Sequence, residues 1–325
     1  MSWTSREVGQ LLELAEAGLL EPAEFEQAAR LGELKPTRDA WLDAADRLFV
    51  FAGVLLIATA VIFFFAWNWA DMHRFTKLGV AVAALAGCTA TAFFSRPFGL
   101  PWRAALLGAA VTTGAALALV GQIYQTGADV WELFAAWAVL MLPFVLLARS
   151  TASWCLWLVV ANAALLRFIS ETAWINFVGA LFAPRHLLII AALNVALLLA
   201  FEVFPARLLE IPRRHVHRLA ALGVIAPLTF GACIGWWERE FLPVTIGFVA
   251  VATIMAGLYY RPRRDLPILA LAVFGAIAVM TSALVRVLPR GLDFLALNLV
   301  ALFVIGSSAG AAVWIARLYR RDRAS

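Results

Sequence analysis

Residues 48–69 read LFVFAGVLLIATAVIFFFAWNW, 22 positions without an ionisable side chain before Asp71. At about 1.5 Å per residue such a helix is roughly 30 Å long, the thickness of a bilayer's hydrocarbon core. Blocks of similar length and character recur toward the C-terminus, at 77–95, 104–124, 131–148, 152–170, 186–204, 218–237, 241–260, 266–288 and 293–317. Helices of this length satisfy their own backbone groups in lipid, whereas a transmembrane barrel would need short alternating strands. The pattern predicts an all-α fold: a polytopic transmembrane helical bundle of ten spans. Composition agrees, with 63% of residues hydrophobic and 14% charged, more apolar surface than one soluble core could hide. The stretch 171–185 is too short to span and is expected to lie along the interface.

On the N-terminal side of that first block, the charge balance reverses. Residues 1–47 carry ten acids and five bases, and the rest of the chain eleven acids and 21 bases. A domain boundary is therefore placed at 47/48, dividing an acidic helical domain from the transmembrane domain 48–325. Val8, Leu11, Leu12, Ala15 and Leu19 repeat at helical spacing, and Gly18 is placed to end that helix. Pro22 suits the first turn of a second helix with Glu24 and Glu26 near its positive end, which gives a short helical hairpin; Thr37 would cap a third helix through Trp41 and Ala45. An acidic face argues against nucleic acid. A cytoplasmic protein partner is the reading for this hairpin, and the lipid bilayer is the partner of the rest. No cleavable signal peptide is read at the start, so the first span would serve as its own signal.

Lysine and arginine set the sidedness. With a cytoplasmic N-terminus, inside segments hold 19 and outside segments seven, the direction of the positive-inside rule. Both termini are then cytoplasmic. Most Trp and Tyr residues, Trp102, Trp131, Trp154, Trp236 and Tyr260 among them, fall at predicted span ends and read as interface anchors. Cys88, Cys155 and Cys233 lie singly in apolar blocks, so neither a disulfide framework nor a metal site is implied.

The densest polar stretch is Gly121-Gln122-Ile123-Tyr124-Gln125-Thr126-Gly127-Ala128-Asp129-Val130-Trp131-Glu132, between the third and fourth spans. In this topology it shares the outer face with Asn68-Trp69-Ala70-Asp71-Met72-His73. A candidate outward polar cluster is therefore Asn68, Asp71, His73, Gln122, Tyr124, Gln125, Asp129, Glu132 and Arg167. Capped helix ends with interhelical hydrogen bonds explain the same residues without a ligand, and that explanation is favoured. Asn162, Asn194, Glu202 and Asn298 read as interhelical or interface groups, and Arg167 with Glu171 as a local pair. The run Arg213-Arg214-His215-Val216-His217-Arg218 reads as a basic loop facing lipid headgroups. Gly306-Ser307-Ser308-Ala309-Gly310 fits close helix packing better than a nucleophile elbow, because no histidine follows His217. No catalytic motif or cofactor fingerprint occurs, so the enzyme reading has no support.

The order of these features is itself distinctive: Ala17-Gly18-Leu19-Leu20, Glu24-Phe25, Trp67-Asn68-Trp69, then Gly121-Gln122-Ile123-Tyr124-Gln125 with Asp129, Leu133, Trp137 and Leu142-Pro143. To about residue 150 the chain resembles the bacterial predicted membrane proteins grouped as domain-of-unknown-function family 2157. The resemblance implies the bacterial cytoplasmic (inner) membrane and supplies no activity or substrate. Two roles are expected: a non-enzymatic sensory, scaffolding or envelope protein, or a carrier of a small solute using the outward polar cluster. A transporter needs polar groups and broken helices near the midplane, and those central positions are mostly Ala, Leu, Val and Phe.

Overall fold

A computed structural model describes residues 24, 27, 41, 42, 45, 72–124, 127, 129–172, 183–211, 213–261, 263–288 and 293–324. The chain divides into two compact units, Met1–His73 and Arg74–Ser325. In the first, Glu24, Gln27, Trp41, Leu42 and Ala45 are helical. The rest of the hairpin and the span 48–69 lie outside the described residues, as does most of 171–185.

Nine helices long and apolar enough to cross a membrane are described in the second unit. They are α1 (Arg74–Phe94), α2 (Leu100–Tyr124), α3 (Val130–Ala148), α4 (Thr151–Thr172), α5 (Pro184–Val203), α6 (His215–Ile234), α7 (Leu242–Tyr260), α8 (Leu266–Val287) and α9 (Asp293–Ala324). Each coincides with one of the blocks read from 77 onward. Among the described residues the fold is all helical, a polytopic bundle. Its outer surface is apolar, with Val139, Leu140, Ile246, Val249, Leu302 and Ile305 all exposed, an exterior that lipid solvates and water does not.

Local chemistry sets the helix ends. Pro184, Pro243 and Pro267 occupy the first turns of α5, α7 and α8, where a missing N–H has no cost. Arg149 ends α3 in the left-handed region at φ 45° and donates its N–H to the Val145 carbonyl. That conformation lets only Arg149 and Ser150 join α3 to an antiparallel α4.

Helix α6 is the hub, packed on α5, α7 and α8 and touching α4. Val216, Ala220, Ala221, Val224, Ile225, Leu228 and Ala232 are buried along its length. Small residues permit this closeness: a Cβ on Gly223 would strike the Asn194 amide, and one on Gly231 would strike Val244 and Leu187. The expected interhelical amides are present, since Asn162 and Asn194 pair across α4 and α5. Asn298 instead donates to the Phe294 carbonyl in its own helix.

One expectation needs correction. Trp154 is not an interface anchor: it is 5% exposed and its indole donates to the Leu208 carbonyl at 2.8 Å. Among the described residues, no atom lies within 4 Å of where a Cβ on Gly306 or Gly310 would stand.

Candidate functional site

The connections α1–α2, α3–α4, α5–α6 and α7–α8 meet at one end of the second unit. Glu210 donates its backbone N–H to the Arg149 carbonyl at 3.0 Å, and Arg214 reaches Asp265 at 2.9 Å. This end carries Arg96, Arg103, Arg149, Arg207, Arg213, Arg214, Arg218, Arg261, Arg263 and Arg264; it is called the arginine end below. The α2–α3 connection lies at the opposite end.

At that opposite end, Gln122, Asp129 and Glu132 line a groove of 490 Å³ between α2 and α3, with Gly121, Gly127 and Leu133 beside them. Asp129 stands just before α3 and Glu132 in its first turn, where the helix dipole favours carboxylates. Gly127, at φ 65°, supplies the left-handed position of the turn. Tyr124 is exposed and is not part of the groove lining, and neither is Arg167, which is exposed on α4. His73 belongs to the first unit. Asn68, Asp71 and Gln125 lie outside the described residues, as does the side chain of Glu171 that was expected to pair with Arg167.

A second constellation, at the arginine end, does not stand out as a unit in the sequence. Glu202 closes α5, Arg214 precedes α6, Arg218 lies in its first turn, Tyr259 ends α7, and Arg263 and Asp265 sit in the α7–α8 connection. Arg214 bridges both acids, with Nε 2.9 Å from Asp265 Oδ2 and Nη2 2.9 Å from Glu202 Oε1. Arg218 Nε donates to Asp265 Oδ1 at 3.1 Å. Tyr259 Oη donates to Glu202 Oε1 at 2.7 Å, and Arg263 pairs with Glu202 Oε2. The Arg214 guanidinium lies 5.6 Å from the Tyr259 ring centroid, within cation–π range.

The acid side chains are 1% exposed for Asp265 and 8% for Glu202, while the three arginines keep 30% to 41%. A buried carboxylate persists only when paired and hydrogen-bonded, and here each has two arginine partners. Burial alone would lower the Arg214 pKa, but the Asp265 hydrogen bond and the Glu202 charge outweigh it and hold the group above its ordinary value. Asp265 also accepts from the Ile268 N–H and so caps α8. Nearby, the buried His217 places Nε2 3.2 Å from the Phe201 carbonyl. A carbonyl only accepts, so Nε2 carries the proton.

Both carboxylates are neutralised by arginines, which leaves neither free to act as a general base. The cluster is a clamp that ties α5, α6, α7 and α8 together. The basic run 213–218 is corrected accordingly: Arg214 and Arg218 turn inward to acids rather than outward to headgroups. The sequence carries one sign of this, two acids isolated among arginines, with Asp265 directly before Leu266-Pro267 as a helix cap would be.

Residues 12–154 match the family described as predicted membrane protein DUF2157. The DUF2157 match begins in the acidic segment, takes in the Gly121–Glu132 stretch and ends inside α4. The arginine clamp lies wholly beyond it. No curated protein and no solved structure matches the chain.

Proposed function

We propose that this membrane protein is a non-enzymatic scaffold or sensor of the bacterial cytoplasmic membrane, in which a rigid bundle anchors the acidic helical domain 1–47 for a cytoplasmic protein partner. Both termini face the cytoplasm in this reading, and the arginine end lies there with them. The observation that carries it is the apolar packing along α6: Val224 and Leu228 are at most 2% exposed, and the nearby Asn162–Asn194 amides satisfy each other. A solute pathway would need polar, hydrated positions at that depth.

The groove at Gln122, Asp129 and Glu132 supports a second, shallower role as an outward-facing binding site. Its lining goes only from the helix ends to Leu117 on α2 and Ala136 on α3, about 10 Å along each helix.

Single cysteines at Val160, Ala191 and Val224, in a background lacking Cys88, Cys155 and Cys233, test the interior. A small cationic methanethiosulfonate reagent should leave all three unmodified in membranes. Modification at two or more of them would mean a hydrated path and would favour transport.

A further inference from the structure

We infer that the arginine end holds a binding site for a phosphate-type oxyanion, formed by Arg103, Arg149 and Arg213 at the start of α4. These three side chains line a pocket of 350 Å³, shared with Ser150, Thr151 and Ala152. The site is separate from the clamp at Glu202 and Asp265, and it does not depend on which side of the membrane the end faces.

Three features converge. The first is unpaired cationic capacity: the Nε atoms of both Arg103 and Arg149 are buried without a hydrogen-bond partner among the described residues. A guanidinium N–H out of water and without an acceptor is unfavourable, so such donors normally have a partner. The second is the N-terminus of a 22-residue helix. Thr151 and Ala152, whose amides precede the first in-helix acceptor, line the same pocket, at the end where a helix presents free N–H groups and positive potential. The third is net charge. Among the described residues, the carboxylate paired with this group is Glu210, whose Oε2 is 3.6 Å from Arg149 Nη1, so there three cations meet one anion.

Arg149 is held in place independently of any ligand. Its Nη2 donates to the Ala206 carbonyl and its own carbonyl accepts from the Glu210 N–H. Ser150 is engaged with Ser153, Oγ to Oγ at 2.8 Å. Arg103 and Arg213 are therefore the residues left to close on an oxyanion, and a bidentate guanidinium fork suits phosphate. Leu100, Leu107 and Ile211 complete the pocket wall. An apolar wall beside a cationic floor fits the phosphodiester of an anionic phospholipid as well as a free phosphate group.

The test uses the purified full-length protein in detergent, compared as wild type, Arg103→Gln, Arg213→Gln and Ala152→Glu. The last puts a carboxylate in the first turn of α4, where the dipole favours it, so it fills the site without weakening the helix. Native mass spectrometry measures retained phosphatidylglycerol, and thermal shift measures the response to inorganic phosphate. Losing one charge-assisted contact should weaken binding about tenfold in either arginine variant, and Ala152→Glu should abolish it. Loss of phosphatidylglycerol without any phosphate response identifies a lipid headgroup site; a phosphate-dependent shift lost in the variants identifies a soluble oxyanion. Should the arginine variants fail to fold, Ala152→Glu decides alone. Binding unchanged in the folded variants, or no binding of either probe by the wild type, overturns the site.

Discussion

Asn162 and Asn194 exchange amide hydrogen bonds between α4 and α5, Nδ2 of Asn194 to Oδ1 of Asn162 at 2.7 Å and the reverse at 3.2 Å. Each amide also donates to its own helix, to Leu158 and to Ile190. Replacing Asn162 by Ala leaves the fully buried Asn194 amide short of a partner and should cost about 1–2 kcal/mol. The double replacement Asn162→Leu with Asn194→Leu removes both polar groups and should recover part of that loss. Thermal unfolding in detergent measures both, and a single variant as stable as wild type would show that the pair contributes nothing.

At the arginine clamp, burial separates strong from weak effects. Asp265→Asn removes the charge that Arg214 and Arg218 share and should destabilise by about 3 kcal/mol, the low end for a broken buried pair because both arginines retain water. Arg263→Gln, at a side chain 41% exposed, should change stability by less than about 1 kcal/mol. Equal losses in the two variants, read by the same unfolding assay, would contradict a clamp centred on Asp265.

Glycines on α6 and α7 should respond in opposite directions. An alanine at Gly223 meets the Asn194 amide, and such overpacking costs about 1–3 kcal/mol. Gly257 has no atom of the described residues within 4 Å of the place its Cβ would take, so Gly257→Ala should stabilise by up to about 1 kcal/mol through helix propensity alone. Comparing their unfolding midpoints checks whether α5 and α6 approach as closely as described.

Trp154→Phe keeps the ring against Phe201, 5.1 Å away by centroid, but removes the donor to Leu208. The expected loss is about 1 kcal/mol. Indole emission provides a second readout, because a buried Trp154 contributes a blue-shifted component that the variant lacks; an unchanged spectrum would return Trp154 to the interface.

The helices were legible because each apolar block is long and keeps any charge near its ends, so α1 to α9 fall where the blocks fall. Asp129 and Glu132 were legible as neighbours on one short turn. Asp265 and Glu202 were not, since they stand 63 positions apart and meet only because α6 and α7 return the chain to the same end. The inward turn of Arg214 and Arg218 was hidden for the same reason: a basic loop looks alike in sequence whether its charges face headgroups or buried carboxylates. Trp154 misled because an indole at a helix end suits the interface equally well, and its acceptor Leu208 lies in another connection.

In the proposed topology the bilayer-spanning bundle has its arginine end on the cytoplasmic side. In the cysteine-free background, Asp129→Cys and Ile211→Cys place a single thiol at exposed positions on opposite ends. An impermeant maleimide added to intact cells should label Asp129→Cys and leave Ile211→Cys unlabelled until the membrane is opened. Labelling of Ile211→Cys alone would invert the orientation, and labelling of both in sealed cells would contradict a membrane-spanning bundle between them.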